Sequence, residues 1–155
     1  MRVYLIQHGE AKRKEEDPAR PLTENGRAEV ELVGRFLAEI GVKVEKIFHS
    51  GKLRAAQTAE LIAKHVKHVK EIKGVEDLDP LADPKIWAEK LNEGEEDLML
   101  VGHLPHLKKL VSLLLTGRDD LEIVKFRYGG VACLEKNEEW SLLWMIRPDI
   151  LPEKG

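Results

Sequence analysis

The sequence predicts an α/β fold, a three-layer αβα sandwich with a mostly parallel central sheet and an antiparallel edge. Up to Gly117, short apolar runs typical of buried strands alternate with longer stretches of helical periodicity. Beyond it, two strand-like segments flank a short polar turn and predict a hairpin. The 155 residues fit one ordinary domain, spanning residues 1–155, which is long enough to bury a core without a metal or a disulfide.

The first strand and helix have clear signals. Residues 3–6 form an apolar run that predicts a buried strand. Apolar residues between Ala28 and Ile40 then recur at helical spacing, which predicts an amphipathic helix. Thr23 is placed to cap the start of this helix, and Gly41 is placed to end it.

The middle of the chain repeats this order. Residues 46–49 predict a second short strand, and Ser50 is a candidate cap for a helix with apolar residues on one side over residues 53–62. Residues 69–75 predict a weaker third strand. After a turn rich in proline and aspartate, a short helix is expected around residues 86–91.

The clearest buried strand covers residues 97–102. A helix is expected after it on apolar positions from Leu107 to Leu114, with Pro105 in its first turn and a glycine at its end. Residues 131–135 and 140–146 predict the two strands of the closing hairpin.

The composition excludes several classes of protein. With 28 acidic and 25 basic side chains, the formal net charge is -3, so the chain lacks the broad positive surface that duplex nucleic acid selects. Cys133 is the only cysteine, which excludes an internal disulfide and a cysteine-rich zinc site and indicates a reducing cytoplasm. Because Met1 runs directly into a short strand pattern without a long apolar segment, we expect a protein that is neither secreted nor membrane-spanning.

His8 and Gly9 lie where the first predicted strand gives way to a loop, the position at which α/β folds carry their chemistry. Gly9 has no side chain, so its backbone can approach a ligand and hold an anion through main-chain N–H groups. His8 is therefore a candidate catalytic residue. A buried histidine with a purely structural role is the alternative, because a His-Gly pair alone is a weak signal.

Polar residues follow three of the predicted strands: Gln7 and His8 after the first, Arg54 just beyond the second, and His103 after the strand at 97–102. The carboxyl ends of parallel strands share one edge, so these side chains are expected to meet in one crevice. Arg54 lies in the first turn of its helix, where free N–H groups favour an anion and the guanidinium can bind two oxygens of a phosphate at once. Taken alone, Arg54 could equally be a surface arginine paired with a carboxylate.

Arg20 precedes the first long helix, and its side chain can reach the same edge of the sheet. Pro21 restricts the backbone of Arg20 to extended conformations, which sets where that side chain starts and favours a role in binding. An ordinary loop charge is the alternative.

Four segments, taken in order along the chain, form a specific pattern. They are residues 7–10 (Gln-His-Gly-Glu), 20–26 (Arg-Pro-Leu-Thr-Glu-Asn-Gly), 50–54 with 57–59 (Ser-Gly-Lys-Leu-Arg and Gln-Thr-Ala) and 102–105 (Gly-His-Leu-Pro). This pattern resembles the histidine phosphatase superfamily in its phosphoglycerate mutase-like branch 1, and most of all the short phosphohistidine phosphatases of the SixA type. The resemblance covers nearly the whole chain.

The resemblance implies a hydrolase in which His8 is the nucleophile and forms a phosphohistidine intermediate, assisted by His103 and Arg54. It implies that phosphate is held by Gln7, Gly9, Arg20, Arg54 and His103. A neutral imidazole is nucleophilic near physiological pH, and phosphoryl transfer is catalysed mainly by positioning and positive charge, so no metal and no other cofactor are expected.

The chain departs from the family pattern at Gln7, where relatives usually carry arginine. Glutamine supplies neither a charge nor a bidentate fork, and the loss of one such stabiliser typically costs about 10²–10³ in rate. We therefore expect a slower or more selective enzyme that prefers phosphoramidates to ordinary esters. Glu76, Asp77 and Asp79 are equal candidates for a general acid, and solvated loop charges are the alternative for all three.

Three functions are compatible with these residues. The first is a phosphatase acting on a phosphorylated protein, such as a histidine phosphotransfer domain, because short connections predict an open crevice. The second is a broad phosphomonoesterase for small phosphorylated substrates, which needs an acidic residue at the leaving group. The third is a phosphate- or phosphopeptide-binding module without turnover, suggested by Gln7 and disfavoured by the retained His8 and His103. The sequence does not indicate the oligomeric state.

Overall fold

The computed structural model describes residues 1–153, and its elements follow the predicted alternation. Within these residues, the strands are β1 (Arg2–Gln7), β2 (Lys46–His49), β3 (Glu71–Gly74), β4 (Leu98–Gly102), β5 (Val131–Lys136) and β6 (Trp140–Ile146). The helices are α1 (Glu24–Glu39), α2 (Leu53–Ala63), α3 (Pro84–Glu93) and α4 (His106–Thr116), and a short 3-10 helix follows at Pro148–Ile150.

The strands form one mixed sheet in the order β3-β2-β4-β1-β5-β6. The first four strands of that order are parallel, whereas β5 is antiparallel to β1 and β6 is antiparallel to β5. The predicted parallel sheet with an antiparallel edge is therefore confirmed. Gln7 pairs with Gly102 at the ends of β1 and β4, so the chain leaves these two strands side by side.

Helices cover both faces of the sheet, which confirms the three-layer sandwich. Alternate residues of a strand point to opposite faces. In β1, Ile6 packs in a core cluster that includes Val33 of α1 and Ile62 of α2. Its neighbour Leu5 packs in a second cluster, on the side of α3 and α4, that includes Leu110. Burial on both faces makes β1 a rigid support for the residues that follow it.

The helix ends confirm some of the predicted signals and correct one. Thr23 caps α1 by accepting a hydrogen bond from a backbone N–H of the first turn at 2.9 Å, and Gly117 ends α4 in a left-handed conformation with φ of 79°. The expectation that Ser50 caps α2 is wrong, because Lys52 is the N-cap residue and makes no side-chain capping bond. The Ser50 hydroxyl instead lies 2.6 Å from Nε2 of His103.

The third strand is shorter than the predicted range of residues 69–75. All four residues of β3 (Glu71–Gly74) are exposed, and Val69 packs against the core outside the strand. This strand lies at the edge of the sheet, where charged side chains such as Lys73 discourage pairing with another chain. The apolar pattern is weak here because little of the strand faces the core.

His106 is an unusual core residue of α4. It is fully buried, and neither ring nitrogen has a hydrogen-bond partner among the described residues. Burial lowers its pKa from 6.5 to about 4, although nearby carboxylates act in the opposite direction. The folded protein therefore holds a neutral ring that the unfolded chain would protonate, so stability is lost as the pH falls from 6.5 towards about 4.

We expect His106→Leu to raise the free energy of unfolding at neutral pH by about 1–3 kcal/mol, because it replaces two unpartnered polar atoms by apolar ones of similar volume. The variant should also lose less stability between neutral and mildly acidic pH. Chemical denaturation at both pH values measures this. His65→Leu is the matched control and should destabilise, since Nε2 of His65 lies 2.5 Å from the Glu31 carboxylate. A destabilised His106→Leu protein would mean that the ring has a partner in solution.

Candidate active site

The ends of β1, β2 and β4 meet at one edge of the sheet, as the parallel topology predicts. His8 directly follows β1, Ser50 follows β2 and His103 follows β4. The N–H of His8 donates to the carbonyl of Gly102 at 3.1 Å, which joins the two loops just beyond the paired strands. The structure thus places the two predicted histidines in one crevice.

The His8 and His103 rings lie against each other. Their centroids are 4.9 Å apart with an interplanar angle of 51°, and the two residues are 5% and 2% exposed. Two titratable rings therefore share a desolvated space in which the charged form of either is unfavourable.

His8 is oriented by its own loop. Its Nδ1 lies 2.7 Å from the carbonyl oxygen of Gly9. Because a carbonyl only accepts, Nδ1 carries the proton and Nε2 keeps a free lone pair. Burial lowers the pKa of His8 from 6.5 to about 4, the Gly9 carbonyl acts against this shift, and the charges of Arg54 and Arg20 add to it. The ring is therefore neutral at neutral pH and chemically able to act as a nucleophile.

His103 is held by Ser50, whose hydroxyl oxygen lies 2.6 Å from Nε2. The Nδ1 atom is buried and has no hydrogen-bond partner among the described residues. Burial lowers the pKa of His103 to about 3, and the charges of His8, Arg54 and Lys52 act in the same direction. A neutral ring surrounded by cations gains a proton more readily once an anion is bound beside it.

Arg54 supplies positive charge next to the two rings. It lies in the first turn of α2, whose N-terminus lacks a side-chain cap, so helix N–H groups and the guanidinium can bind the same anion. The Nε atom of Arg54 is buried without a hydrogen-bond partner among the described residues. Burial lowers the pKa of Arg54, and the charge of Arg20 adds to this effect. Binding of an anion would relieve the repulsion between the two guanidinium groups.

One face of α2 connects Arg54 to the loops of the site. Thr58, one turn later, donates a hydrogen bond to the carbonyl of Arg54 at 2.8 Å and accepts one from the N–H of Gly9 at 3.0 Å. Gln57 accepts a hydrogen bond from the N–H of Leu22 at 2.8 Å. Sequence reasoning gave neither residue a role, although spacings of three and four residues place both on the face of Arg54.

Gly9 differs from its expected role. Its N–H is already bonded to Thr58, so that group is not available to hold an anion. A side chain at Gly9 would meet the Cγ2 atom of Val30 in α1 at 2.6 Å. Glycine is therefore required for close packing of the loop against α1.

The backbone of Arg20 also differs from the prediction. Pro21 favours an extended conformation, yet Arg20 has a φ of 51°, in the left-handed region. The N–H of Arg20 donates to the carbonyl of Asp17 at 2.9 Å, which closes a turn and stabilises this conformation. The Nε atom donates to the carbonyl of Lys12 at 3.0 Å. Local hydrogen bonds thus outweigh the proline preference, and the guanidinium still acts electrostatically on His8.

Tyr128 belongs to the crevice and was missed by sequence reasoning. Its ring centroid lies 5.6 Å from that of His8, and the residue is 40% exposed. The adjacent Gly129 donates from its N–H to the carbonyls of Gln7 and His8, at 3.0 and 3.2 Å. The available signal was topological: the start of an antiparallel strand lies at the same edge as the ends of its parallel neighbours.

The remaining predicted residues are Gln7 and the three candidates for a general acid. Gln7 is 7% exposed, and its Oε1 atom has no hydrogen-bond partner among the described residues. Of the three acidic candidates, Glu76 and Asp79 are exposed and Asp77 is half-buried. Asp79 is the one whose charge acts on Arg54, where it opposes the effect of burial on the pKa.

Neither a metal site nor a membrane span is found in the described part of the chain. Over residues 1–153, no group of three or more histidine, cysteine, aspartate or glutamate residues is arranged to hold a metal ion. None of the helices in that range combines the length and the apolar character needed to cross a bilayer.

Comparison with known sequences identifies the family. The profile of the histidine phosphatase superfamily (branch 1) matches residues 3–81. The chain belongs to this superfamily. The phosphohistidine phosphatase SixA of Escherichia coli (strain K12) is 31% identical to this histidine phosphatase over 153 residues, covering 96% of this chain and 94% of the relative. The mitochondrial serine/threonine-protein phosphatase PGAM5 of Rattus norvegicus is 40% identical over 67 residues, covering 41% of this chain and 23% of that protein.

Solved structures agree with this assignment. The protein histidine phosphatase SixA complexed with tungstate superposes with a TM-score of 0.85 at 28% identity, covering 96% of this chain and 98% of that one. For the SixA protein of Agrobacterium tumefaciens the TM-score is 0.80 at 25% identity, with coverages of 95% and 97%. The phosphatase therefore has the phosphoglycerate mutase-like fold, and its predicted membership of this class of hydrolases is confirmed.

The pH dependence of the phosphatase should reveal the desolvation of His8. Because its pKa is lowered from 6.5 to about 4, the neutral form persists to lower pH than in an exposed histidine. We expect kcat/KM, corrected for ionisation of the substrate, to stay level through mildly acidic pH and to fall only as the pH approaches about 4. A decline centred near 6.5, the ordinary value for histidine, would contradict this result.

Proposed function

We propose that the phosphatase hydrolyses phosphohistidine on a protein substrate through a covalent phosphohistidine intermediate on His8. The observation that carries this proposal is the free Nε2 atom of a neutral His8, whose ring lies 4.9 Å from that of His103 and beside Arg54. An imidazole in this state attacks phosphorus without a separate base. Similarity to the phosphohistidine phosphatase SixA over 96% of the chain supports the choice of substrate.

The reaction has two displacement steps. In the first, the lone pair of His8 Nε2 forms a bond to phosphorus while the phosphorus–nitrogen bond to the substrate imidazole breaks, and the released nitrogen takes a proton from solvent. In the second, a water oxygen bonds to phosphorus and the bond to Nε2 breaks, which releases phosphate and restores His8. In this mechanism Arg54, Arg20 and His103 stabilise the charge on the equatorial oxygens, a role that the electrostatic effect of Arg54 and Arg20 on His8, and of Arg54 on His103, supports.

Gln7 favours a phosphoramidate over an ester. The side chain is nearly buried in the position where relatives usually carry arginine, and it brings no charge to the site. A site with less positive charge discriminates in favour of substrates whose leaving group needs little assistance. An imidazole leaves phosphorus more readily than an alkoxide, so phosphohistidine tolerates the missing arginine best.

The direct test compares a phosphohistidine peptide with phenyl phosphate, an aryl ester that lacks the phosphorus–nitrogen bond. We expect kcat/KM for the phosphohistidine peptide to be higher by about tenfold or more, because the ester depends more strongly on the missing charge. Equal or faster hydrolysis of phenyl phosphate would contradict the proposed substrate.

Gln7→Arg should raise kcat/KM for phenyl phosphate by about tenfold, which is part of the 10²–10³ that one such stabiliser typically contributes. Gln7→Lys is the matched control, since it adds charge without the bidentate fork and should give a smaller gain. Thermal melting of both variants checks that the buried charge is tolerated. Unchanged or lower turnover in a folded Gln7→Arg protein would show that this position does not limit catalysis.

A broad phosphomonoesterase is the second candidate function, favoured by the position of Asp79. Its charge acts on Arg54, so an acidic group is available near the phosphate-binding side of the crevice. A general acid there would protonate an alkoxide leaving group and contribute roughly 10²–10⁴ in rate. Efficient hydrolysis of small alkyl phosphates in the substrate comparison would favour this function.

A further inference from the structure

A basic groove is lined by Arg54, and neither of the two histidines is among its lining residues. It has a volume of about 490 Å³, and the charged residues that line it are Arg13, Lys14, Glu15, Arg20, Lys52 and Arg54. Five of these six side chains are cationic, whereas the whole chain has a formal net charge of -3. The positive charge is therefore concentrated here against the overall balance, and such a groove attracts anionic partners.

The cations of the basic groove differ in their electrostatic effect on the two histidines. Arg54 and Arg20 lower the pKa of His8, and Lys52 lowers that of His103, so these three act on the phosphoryl site itself. Arg13 and Lys14 are not among the charges that shift the pKa of either ring, and they lie on the loop between β1 and α1. They extend the groove beyond the volume that one phosphoryl group needs.

The outer cations are available for binding. Lys14 makes no ion pair with any residue in the range 1–153. Arg13 has one ion pair, with Glu16 at 3.2 Å, in which the two side chains are 77% and 51% exposed. Such an exposed pair is worth little and exchanges easily for another carboxylate.

We propose that the outer part of the basic groove, formed by Arg13 and Lys14, binds acidic side chains that flank the phosphohistidine of the protein substrate. This inference rests on the proposed function and names the kind of protein surface that the phosphatase recognises. Long, exposed cationic side chains on a loop suit a protein surface, whose carboxylates are spread over several positions. Complementary charge between the outer part of the basic groove and the substrate raises the association rate and selects among partners.

The test uses two phosphohistidine peptides, one flanked on both sides by aspartates and one by asparagines, together with free phosphoramidate. The wild-type phosphatase should hydrolyse the aspartate peptide with a kcat/KM about tenfold higher than the asparagine peptide at low salt. Added salt should reduce this preference. Arg13→Gln combined with Lys14→Glu should abolish the preference and leave phosphoramidate hydrolysis unchanged.

The matched control is Lys43→Glu combined with Lys67→Gln, which changes the net charge equally. Lys43 and Lys67 are exposed, and a backbone β-bridge joins them. They lie near the amino end of β2, whereas the candidate site lies beyond the carboxyl ends of the parallel strands. This control should keep the full preference for the aspartate peptide. Loss of the preference in both double variants would indicate a general effect of net charge and would overturn the proposal.

Further outcomes separate this inference from the proposed function. The inference would be overturned if the wild-type enzyme hydrolysed the two peptides equally, or if the preference for aspartate survived in the Arg13 and Lys14 variant. In either case, turnover of phosphoramidate would still uphold the proposed function. A groove-dependent preference for a small bisphosphate over the aspartate peptide would also overturn it. If no substrate is hydrolysed, the proposed function fails, and calorimetric binding of both peptides to wild-type protein still decides whether the groove selects aspartate.

Discussion

Replacing His8 with asparagine is expected to lower kcat by about 10⁴-fold or more, because the proposed mechanism loses its nucleophile. Asparagine is neutral and of similar size, so the buried site should keep its shape. Rapid quenching of the wild-type enzyme with substrate, followed by mass spectrometry, should locate one phosphoryl group on His8. The His8→Asn protein should carry none.

His68→Asn is the matched control for this substitution. His68 is exposed and has a φ of 71°, a left-handed conformation that asparagine tolerates well. Its turnover should equal that of the wild type. A phosphoryl group on a residue other than His8, or substantial turnover in His8→Asn, would exclude the proposed intermediate. Stable phosphopeptide binding without any product release by the wild type would instead indicate a binding module.

Replacing Arg54 with alanine should lower kcat/KM by about 10²–10³-fold, since it removes the guanidinium that acts on both histidine rings and that, in the proposed mechanism, stabilises the transferred phosphoryl group. Most of the loss should appear in kcat if the guanidinium binds the transition state more strongly than the substrate. Steady-state kinetics with the phosphohistidine peptide measures the two parameters separately.

Two further variants test the role of Arg54. Arg54→Lys should recover only part of the activity, because an ammonium group supplies charge without the fork that binds two oxygens. Arg35→Ala removes an arginine of α1 whose long, weak contact to Glu31 is 3.9 Å, and it should leave turnover unchanged. Activity within about threefold of wild type in Arg54→Ala would exclude a direct part in catalysis.

Much of the fold could be predicted because its signals are local. The apolar run at residues 3–6 and the helical spacing after Thr23 each indicate which side chains face the core, and the closing hairpin is marked by a polar turn between two apolar segments. The third strand was predicted less well because β3 is exposed and its apolar pattern is weak. The backbone conformation of Arg20 also differs from the extended one that was predicted. A turn closed by its hydrogen bond to Asp17 outweighs the preference imposed by the following proline.

The candidate site was predicted in part. His8, Arg54 and His103 follow from a general property of parallel sheets, in which residues after different strands share an edge. Tyr128 and Thr58 could not be placed in this way, because their contacts depend on a turn before β5 and on the packing of α2 against the first loop.

Periodicity and turn chemistry in the linear chain were sufficient to establish the alternation of strands and helices, the single sheet and the identity of its strand-end histidines. Tertiary packing decided that the His8 and His103 rings lie 4.9 Å apart, that both are neutral, and that the cations of one loop line a groove together with Arg54. The physical reason is that burial patterns are encoded residue by residue. Distances between side chains of different strands, and the desolvation that shifts their pKa values, exist only once the layers have packed.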